Sequence, residues 1–335
     1  MKIKCLQKLI DNVRGKKYIH IYPPIYNEHK MLKLTKPSVY NEFGQKMDVF
    51  FLRDRHLEAP YGYNSKYFLW DRYNYGLDTH FYTGNAMLET MGNPVKKYSY
   101  LTEPRVKQPK DYSRLEKSKI LASEFEKVLT HDEQLLNNLP NAFFFPGCAA
   151  AWVNPQGLDC WQEKNKMVSM LSSHKKMCPL HYLRINVAKK CKAQGLADTF
   201  GTFDGGGFVK MIDILKDYRY TIAFENEVSP YFFTERIISA FLTMTVPIYL
   251  GATKIDKFFN SDGMVIIDEI QAQNIEEVLK QCSLEDYGNR LSAMKENYNK
   301  ALAYLNNHDL LYESLFLPKE KQTLDINYNF LNEGK

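Results

Sequence analysis

The stretch Tyr220-Thr221-Ile222-Ala223-Phe224-Glu225-Asn226 constrains this fold most, together with Tyr231 to Arg236 and Val246-Pro247-Ile248-Tyr249-Leu250-Gly251 behind it. Its first part reads as a short buried strand that ends on two polar side chains. The middle part opens a helix with adjacent opposite charges, Glu235 and Arg236, and the last part is a second apolar strand closed by glycine. Buried strands joined by a helix require a parallel sheet covered on both faces. In such sheets the strand C-termini and helix N-termini meet at one edge, where phosphorylated ligands are held. Glu225, Asn226, Glu235 and Arg236 all fall at that edge.

The same grammar runs through the rest of the chain. Tyr18 to Tyr22, Met47 to Leu52, Tyr67 to Trp70 and Tyr98 to Leu101 read as strands. Helical periodicity covers Ser113 to Glu126 through Leu115, Ile120, Leu121 and Phe125. Val128-Leu129-Thr130, a short helix over Asp132 to Leu139, and the buried run Ala142 to Phe145 close the first half. In the second half Met167 to Ser172 is a strand, and a helix from Leu180 to Gln194 ends at Gly195. An extended piece from Asp198 to Phe203 leads to Gly205-Gly206-Gly207. After the central strand–helix–strand come a short helix near Lys254 to Phe259, a strand over Met264 to Ile267, and helical sequence from Ile275 to Asn306. The pattern predicts an α/β chain of two Rossmann-like domains, 1–155 and 156–335, with parallel sheets facing a cleft.

A length of 335 residues fits two domains of ordinary size. Hydrophobic content of 44% and charged content of 25% are those of a globular protein. The formal charge of +5 is spread out, which argues against nucleic acid as a partner. It leaves open phosphate-bearing ligands and peripheral contact with an anionic membrane surface. No apolar run is long enough to span a bilayer, and Met1-Lys2-Ile3-Lys4-Cys5 is no signal-peptide core, so a cytoplasmic location is expected. Cys5, Cys148, Cys160, Cys178, Cys191 and Cys282 show neither a CxxC pair nor zinc-finger spacing and read as reduced thiols. Pairing of Cys148 with Cys160 would need an oxidising compartment.

Phe224-Glu225-Asn226, a spacer, and Tyr231-Phe232-Phe233-Thr234-Glu235-Arg236 resemble a known donor-binding motif. It is that of the α-1,3-fucosyltransferase family (glycosyltransferase family 10), roughly Phe-Glu-Asn-Ser, then Tyr-Val-Thr-Glu-Lys. The likeness is best from Asn165 to Glu269. It puts Glu225, Asn226, Phe232, Thr234 and Glu235 on donor-binding positions. Arg184 matches the family's phosphate-binding arginine, because the interval from Arg184 to Gly201 equals that from the family's arginine to its Asp-x-Tyr-Gly. Glu103 resembles the family's catalytic base at the end of an N-terminal strand. The resemblance implies a GT-B architecture, with an acceptor-side domain over 1–155 and a donor-binding domain over 156–335. It further implies GDP-fucose as donor, a glycan acceptor, inversion at the anomeric centre, and no required cofactor or metal. Three positions depart from the motif. Its lysine is Arg236, a tyrosine is Phe232, and the serine after Asn226 is Glu227; these bear on which sugar the donor carries.

Transfer of a sugar from a nucleoside diphosphate requires a neutralised diphosphate, a held nucleotide and a deprotonated acceptor hydroxyl. Arg184 and Arg236 suit the first task, since a guanidinium fork binds phosphate oxygens in pairs. Glu235 can accept hydrogen bonds from ribose hydroxyls, and Asn226 can hold the ribose or the sugar. Gly205 and Gly206 allow close backbone approach. Glu103, after the strand Tyr98 to Leu101 and before the turn at Pro104, is the candidate general base. Asp71, Asp78 and His80 form a second polar cluster, for the acceptor or for an Asp71–Arg72 pair that fixes a loop. No Asp-x-Asp motif is present to anchor a metal, and no P-loop occurs. Two alternatives stay open: another nucleotide sugar on the same fold, and a non-catalytic carbohydrate-binding protein.

Overall fold

The structure, a computed structural model, describes residues 17–18, 39–40, 44–53, 65–159, 162–322 and 328–332. Cys5, Cys160 and all but the first residue of the strand expected from Tyr18 lie outside the described residues. The chain divides into two compact units. One is formed by the sequence up to Gly147 together with 308–322 and 328–332, the other by Cys148–Asn307. The first crossing falls after Gly147, ahead of the expected division at residue 155/156, and the C-terminal segment returns to the first unit.

The first unit is built on β2 (Val39–Tyr40), β3 (Lys46–Arg53), β4 (Phe68–Asp71), β5 (Thr79–Thr83), β7 (Lys96–Tyr100), β8 (Lys127–Thr130) and β9 (Ala142–Phe144). A separate two-residue pair joins β1 (Lys17–Tyr18) to β6 (Glu89–Thr90). The main order is β2-β3-β5-β7-β8-β9, with β4 also on β3. All pairs are parallel except β2 with β3. Phe51, Leu52, Phe81, Tyr82, Tyr100, Val128 and Leu129 are buried, as strands covered on both faces demand.

The helix expected over Ser113 to Glu126 is two helices, α1 (Pro109–Lys117) and α2 (Lys119–Ser123). Ser118 breaks it: its backbone is extended and its hydroxyl accepts the Leu121 N–H at 3.2 Å. A serine in a helical run offers the backbone this competing bond. The short helix α3 (Glu133–Asn138) follows β8 and is capped by Asp132.

In the second unit β10 (Lys166–Leu171), β11 (Asp198–Phe200), β12 (Tyr218–Phe224), β13 (Val246–Leu250) and β14 (Val265–Ile266) form an all-parallel sheet. Its order is β11-β10-β12-β13-β14. The helices are α4 (Pro179–Gln194), α5 (Glu235–Leu242), α6 (Glu269–Gln273), α7 (Ile275–Leu279) and α8 (Leu284–Ala301). Pro179 opens α4, and Gly195 closes it in the left-handed conformation at φ 64°. Helix α5 is anchored by Ile237, Ile238 and Phe241, all fully buried. Each such side chain contributes roughly 1.5–3 kcal/mol.

Helix α9 (Asn307–Phe316) and the short α10 (Asn329–Asn332) explain why the C-terminal segment joins the first unit. Asp309 accepts from the Ser65 hydroxyl at 2.6 Å, Glu313 from the Tyr67 hydroxyl at 2.7 Å, and Tyr312 donates to Asp48 at 2.7 Å. Tyr312 and Phe316 add their rings to an aromatic cluster with Phe50, Tyr67, Phe68 and Tyr98. Asn332 in turn bonds both the N–H and the carbonyl of Phe144 on edge strand β9. No helix among the described residues is long and apolar enough to cross a membrane.

Candidate functional site

In the second unit the chain lays β11 on one side of β10 and then returns to lay β12 on the other. The order reverses between β10 and β12, and open α/β sheets bind ligands outside the strand C-termini at such a reversal. Asn226 lies two residues beyond β12, and Arg184 projects from α4, the helix that follows β10. Helix α5 starts at the same edge with Glu235 and Arg236.

Arg184 is 3% exposed and donates to the Phe224 carbonyl at 3.2 Å and to Asn226 Oδ1 at 3.0 Å. Its partners are therefore neutral oxygens. Burial, and then the charge of Arg236, push its pKa down to about 9, so it is still a cation at neutral pH. The Arg236 side chain is 21% exposed and sits 3.9 Å from Glu235 Oε1, while its Nε is buried without a hydrogen bond. A cation in the first turn of a helix opposes the helix dipole. Two repelling guanidiniums at one strand edge, one of them deeply buried, make a cationic pair suited to an anionic ligand.

Glu225 behaves differently from its neighbours. It is fully buried, and its carboxylate accepts the Thr234 N–H at 2.9 Å and the Thr234 hydroxyl at 2.8 Å. Thr234 in turn caps α5 by accepting the Arg236 N–H. Glu225 and Thr234 were expected to bind donor; here they hold the start of α5, and with it Arg236, in place. Gly251 permits this, because a Cβ there would come within 2.4 Å of the Glu225 side chain and 2.5 Å of the Tyr249 hydroxyl.

Burial raises the Glu225 pKa to about 7, outweighing Arg236 and the Thr234 donors, which lower it. The folded state then keeps a proton that the unfolded chain releases near its ordinary value of 4.5. Stability from this group is thus full below pH 4.5 and is lost as the pH rises through about 7, a change of about 3 kcal/mol. Thermal melts from pH 4.5 to 8 should show this decline in the parent protein and a flatter profile in Glu225→Gln. Equal slopes would contradict the assignment.

Other expected donor residues divide in two. Glu235 stays at the helix start with its side chain 12% exposed. Gly205 and Gly206 are exposed in the loop after β11, at the same sheet edge, with Gly205 at φ 92°. Phe232, by contrast, is 1% exposed and belongs to the core, as do Tyr231 and Phe233 beside it. It supports the loop from behind and offers no surface to a ligand. His181 is a residue that sequence reasoning missed: its Nε2 lies 2.9 Å from Asn226 Oδ1. The available signal was its spacing of three from Arg184, which puts both on one helix face.

In the first unit Glu103 lies three residues beyond the end of β7, half-buried, and pairs with Lys107 at 2.5 Å. The Tyr112 hydroxyl donates to the Glu103 carbonyl at 2.5 Å and lies 3.4 Å from His131 Nε2. Burial lowers the His131 pKa to about 4, so that ring is neutral. Arg105, two residues along, bonds Asp132 twice and Glu116 once, at 2.7–2.8 Å. The loop carrying Glu103 is therefore fixed from several sides.

Asp71, Asp78 and His80 do not share that edge. Strand register puts Asp71 level with Phe51, His80 and Lys97, near the N-terminal end of β7, whereas Glu103 lies past its C-terminal end. Asp78 precedes β5 at the opposite edge. His80 is fully buried with Nδ1 2.9 Å from the Tyr82 hydroxyl, and burial lowers its pKa to about 4. It is a core histidine. Asp71 accepts the N–H groups of Tyr73 and Asn74 and shapes a turn. Among the described residues no group of three His, Cys, Asp or Glu side chains is placed to hold a metal ion.

Residues 161–320 match the family model described as glycosyltransferase family 10 (fucosyltransferase), C-terminal. Over 102 residues the chain is 31% identical to the α-(1,3)-fucosyltransferase FucT of Helicobacter pylori. That stretch is 30% of this chain and 18% of FucT, so the chain spans under a fifth of that relative's length. A crystal structure of an α1,3-fucosyltransferase with GDP is similar at a TM-score of 0.43 and 15% identity, covering 71% of this chain and 80% of that one. Anabaena Alr3699/HepE with UDP is similar at a TM-score of 0.49 and 12% identity, covering 71% and 78%. Each of the two units is α/β, the second with an all-parallel sheet and the first with a sheet parallel except at β2.

Proposed function

We propose that this chain, whose residues 161–320 match the glycosyltransferase family 10 model, transfers L-fucose from GDP-fucose to a hydroxyl of a glycan acceptor, with inversion. The observation that carries the reading is the pair of guanidiniums, Arg184 and Arg236, at the point where the strand order reverses. In the reaction the acceptor oxygen bonds to the anomeric carbon as the bond from that carbon to the diphosphate breaks. Arg184 and Arg236 neutralise the departing GDP, and Glu235 accepts from the ribose hydroxyls. Asn226 donates to donor oxygens, Gly205 and Gly206 give the ligand close access to backbone, and Glu103 removes the acceptor proton. With arginines supplying the positive charge, no metal is required.

A donor screen tests this. GDP should raise the melting temperature more than UDP, and GDP-fucose with a panel of short glycans should give a product heavier by one fucosyl group, also in EDTA. Stabilisation by UDP but not GDP would favour another nucleotide sugar. Loss of turnover in EDTA that manganese restores would overturn the metal-free assignment. A retained donor anomer in the product would refute inversion.

A further inference from the structure

Asn226 Oδ1 receives two hydrogen bonds, from His181 Nε2 at 2.9 Å and from Arg184 Nη2 at 3.0 Å. An amide oxygen has two lone pairs, so this one is saturated. The orientation of the amide is fixed as well. Arg184 can only donate, and turning the amide over would set N–H against N–H. Asn226 Nδ2 makes no hydrogen bond among the described residues, and the residue is half-buried at the strand edge. What Asn226 presents beyond this cluster is therefore a donor.

The histidine is constrained from its other side. The Met177 backbone N–H donates to His181 Nδ1 at 3.1 Å, so that nitrogen carries the lone pair. The ring proton then sits on Nε2, which is the nitrogen aimed at Asn226. Two independent partners thus require the same tautomer. Local sequence builds the arrangement: Cys178 stands at the N-cap position of α4 with extended backbone, Pro179 opens the helix, and His181 in the first turn is 4% exposed.

We propose that His181 is a positioning residue for the donor site. It fixes the Asn226 amide so that its N–H groups meet only an acceptor, a diphosphate or sugar oxygen, beside Arg184 and Arg236. Without it Arg184 alone would hold Oδ1, and the amide would swing about a single bond. The proposal rests on the reading that this edge binds a nucleotide sugar.

The test compares His181→Gln, whose amide keeps a donor near the place of Nε2, with His181→Leu, which keeps bulk and removes the donor. GDP affinity and donor KM are measured on the whole chain, with Asn226→Ala as a reference. His181→Leu should weaken GDP binding about tenfold, and His181→Gln should stay within about threefold of the parent. Parent-like binding in His181→Leu, with loss in Asn226→Ala, overturns the role of His181 alone. Parent-like binding in Asn226→Ala defeats the site reading and the proposal together. Equal losses in both His181 variants overturn it in favour of packing. Should His181→Leu fail to fold, long-range ¹H–¹⁵N spectra of the unaltered protein decide, with His181→Gln used to assign the signal. The Nε2–H tautomer supports the proposal, and the Nδ1–H tautomer overturns it.

Discussion

Arg236→Ala should lower turnover about 10²–10³-fold, the loss expected when one donor to developing negative charge is removed from a preorganised site. Among the described residues the Arg236 Nε is buried without a hydrogen-bond partner, and the nearest ion-paired carboxylate, Glu235, is 3.9 Å away. The fold therefore depends little on it, and melting should stay near the parent's. Arg236→Lys should retain more activity, because the charge survives although the planar fork does not. Arg184→Ala should fall at least as far, but by two routes: it removes a cation and also releases Asn226 and the end of β12. Single-turnover rates alongside GDP affinity check both variants. Activity within about threefold of the parent in each would end the assignment.

Glu103→Gln carries the second large effect. Removing a general base lowers kcat about 10²–10⁴-fold, while GDP affinity should hardly move. Glutamine preserves size and shape, and the loop stays fixed by the Tyr112 bond to the residue 103 carbonyl and by Arg105 with Asp132 and Glu116. A change in kcat therefore reports on the carboxylate and not on loop collapse. Normal kcat would exclude Glu103. Weakened GDP binding would move Glu103 from proton transfer to another task.

The strand–helix–strand from Tyr218 to Leu250 was legible because contiguous apolar runs bounded by polar residues admit few alternatives. Strand β5 was not, because Thr79-His80-Phe81-Tyr82-Thr83 mixes polar and apolar residues that are nearly all buried here. The break at Ser118 turns on one hydroxyl choosing a backbone N–H. The placement of Arg184, Arg236 and Asn226 at one strand edge was readable from residue type and position. A motif position, however, does not say which way a side chain points. Phe232 lies inward, and Glu225 reaches nine residues forward to Thr234, a tertiary bond with no local signature. The destination of α9 was hidden for the same reason. Its polar and aromatic residues demanded partners, but those partners lie more than 230 positions away.

That long return has a consequence for how the chain is made. A ribosome that has released the first 147 residues has delivered every described strand of the first sheet, but not Tyr312, Phe316, Asp309, Glu313 or Asn332. Until Tyr312 and Phe316 have emerged, the aromatic side chains of β3 and β4 must wait uncovered, and the edge of β9 waits for Asn332. The strands of the second unit all lie between Lys166 and Ile266, so its sheet can be completed as it appears. Synthesis therefore runs opposite to folding: the part made first is finished last. A chain truncated before His308 should yield an intact second unit joined to an aggregation-prone first one.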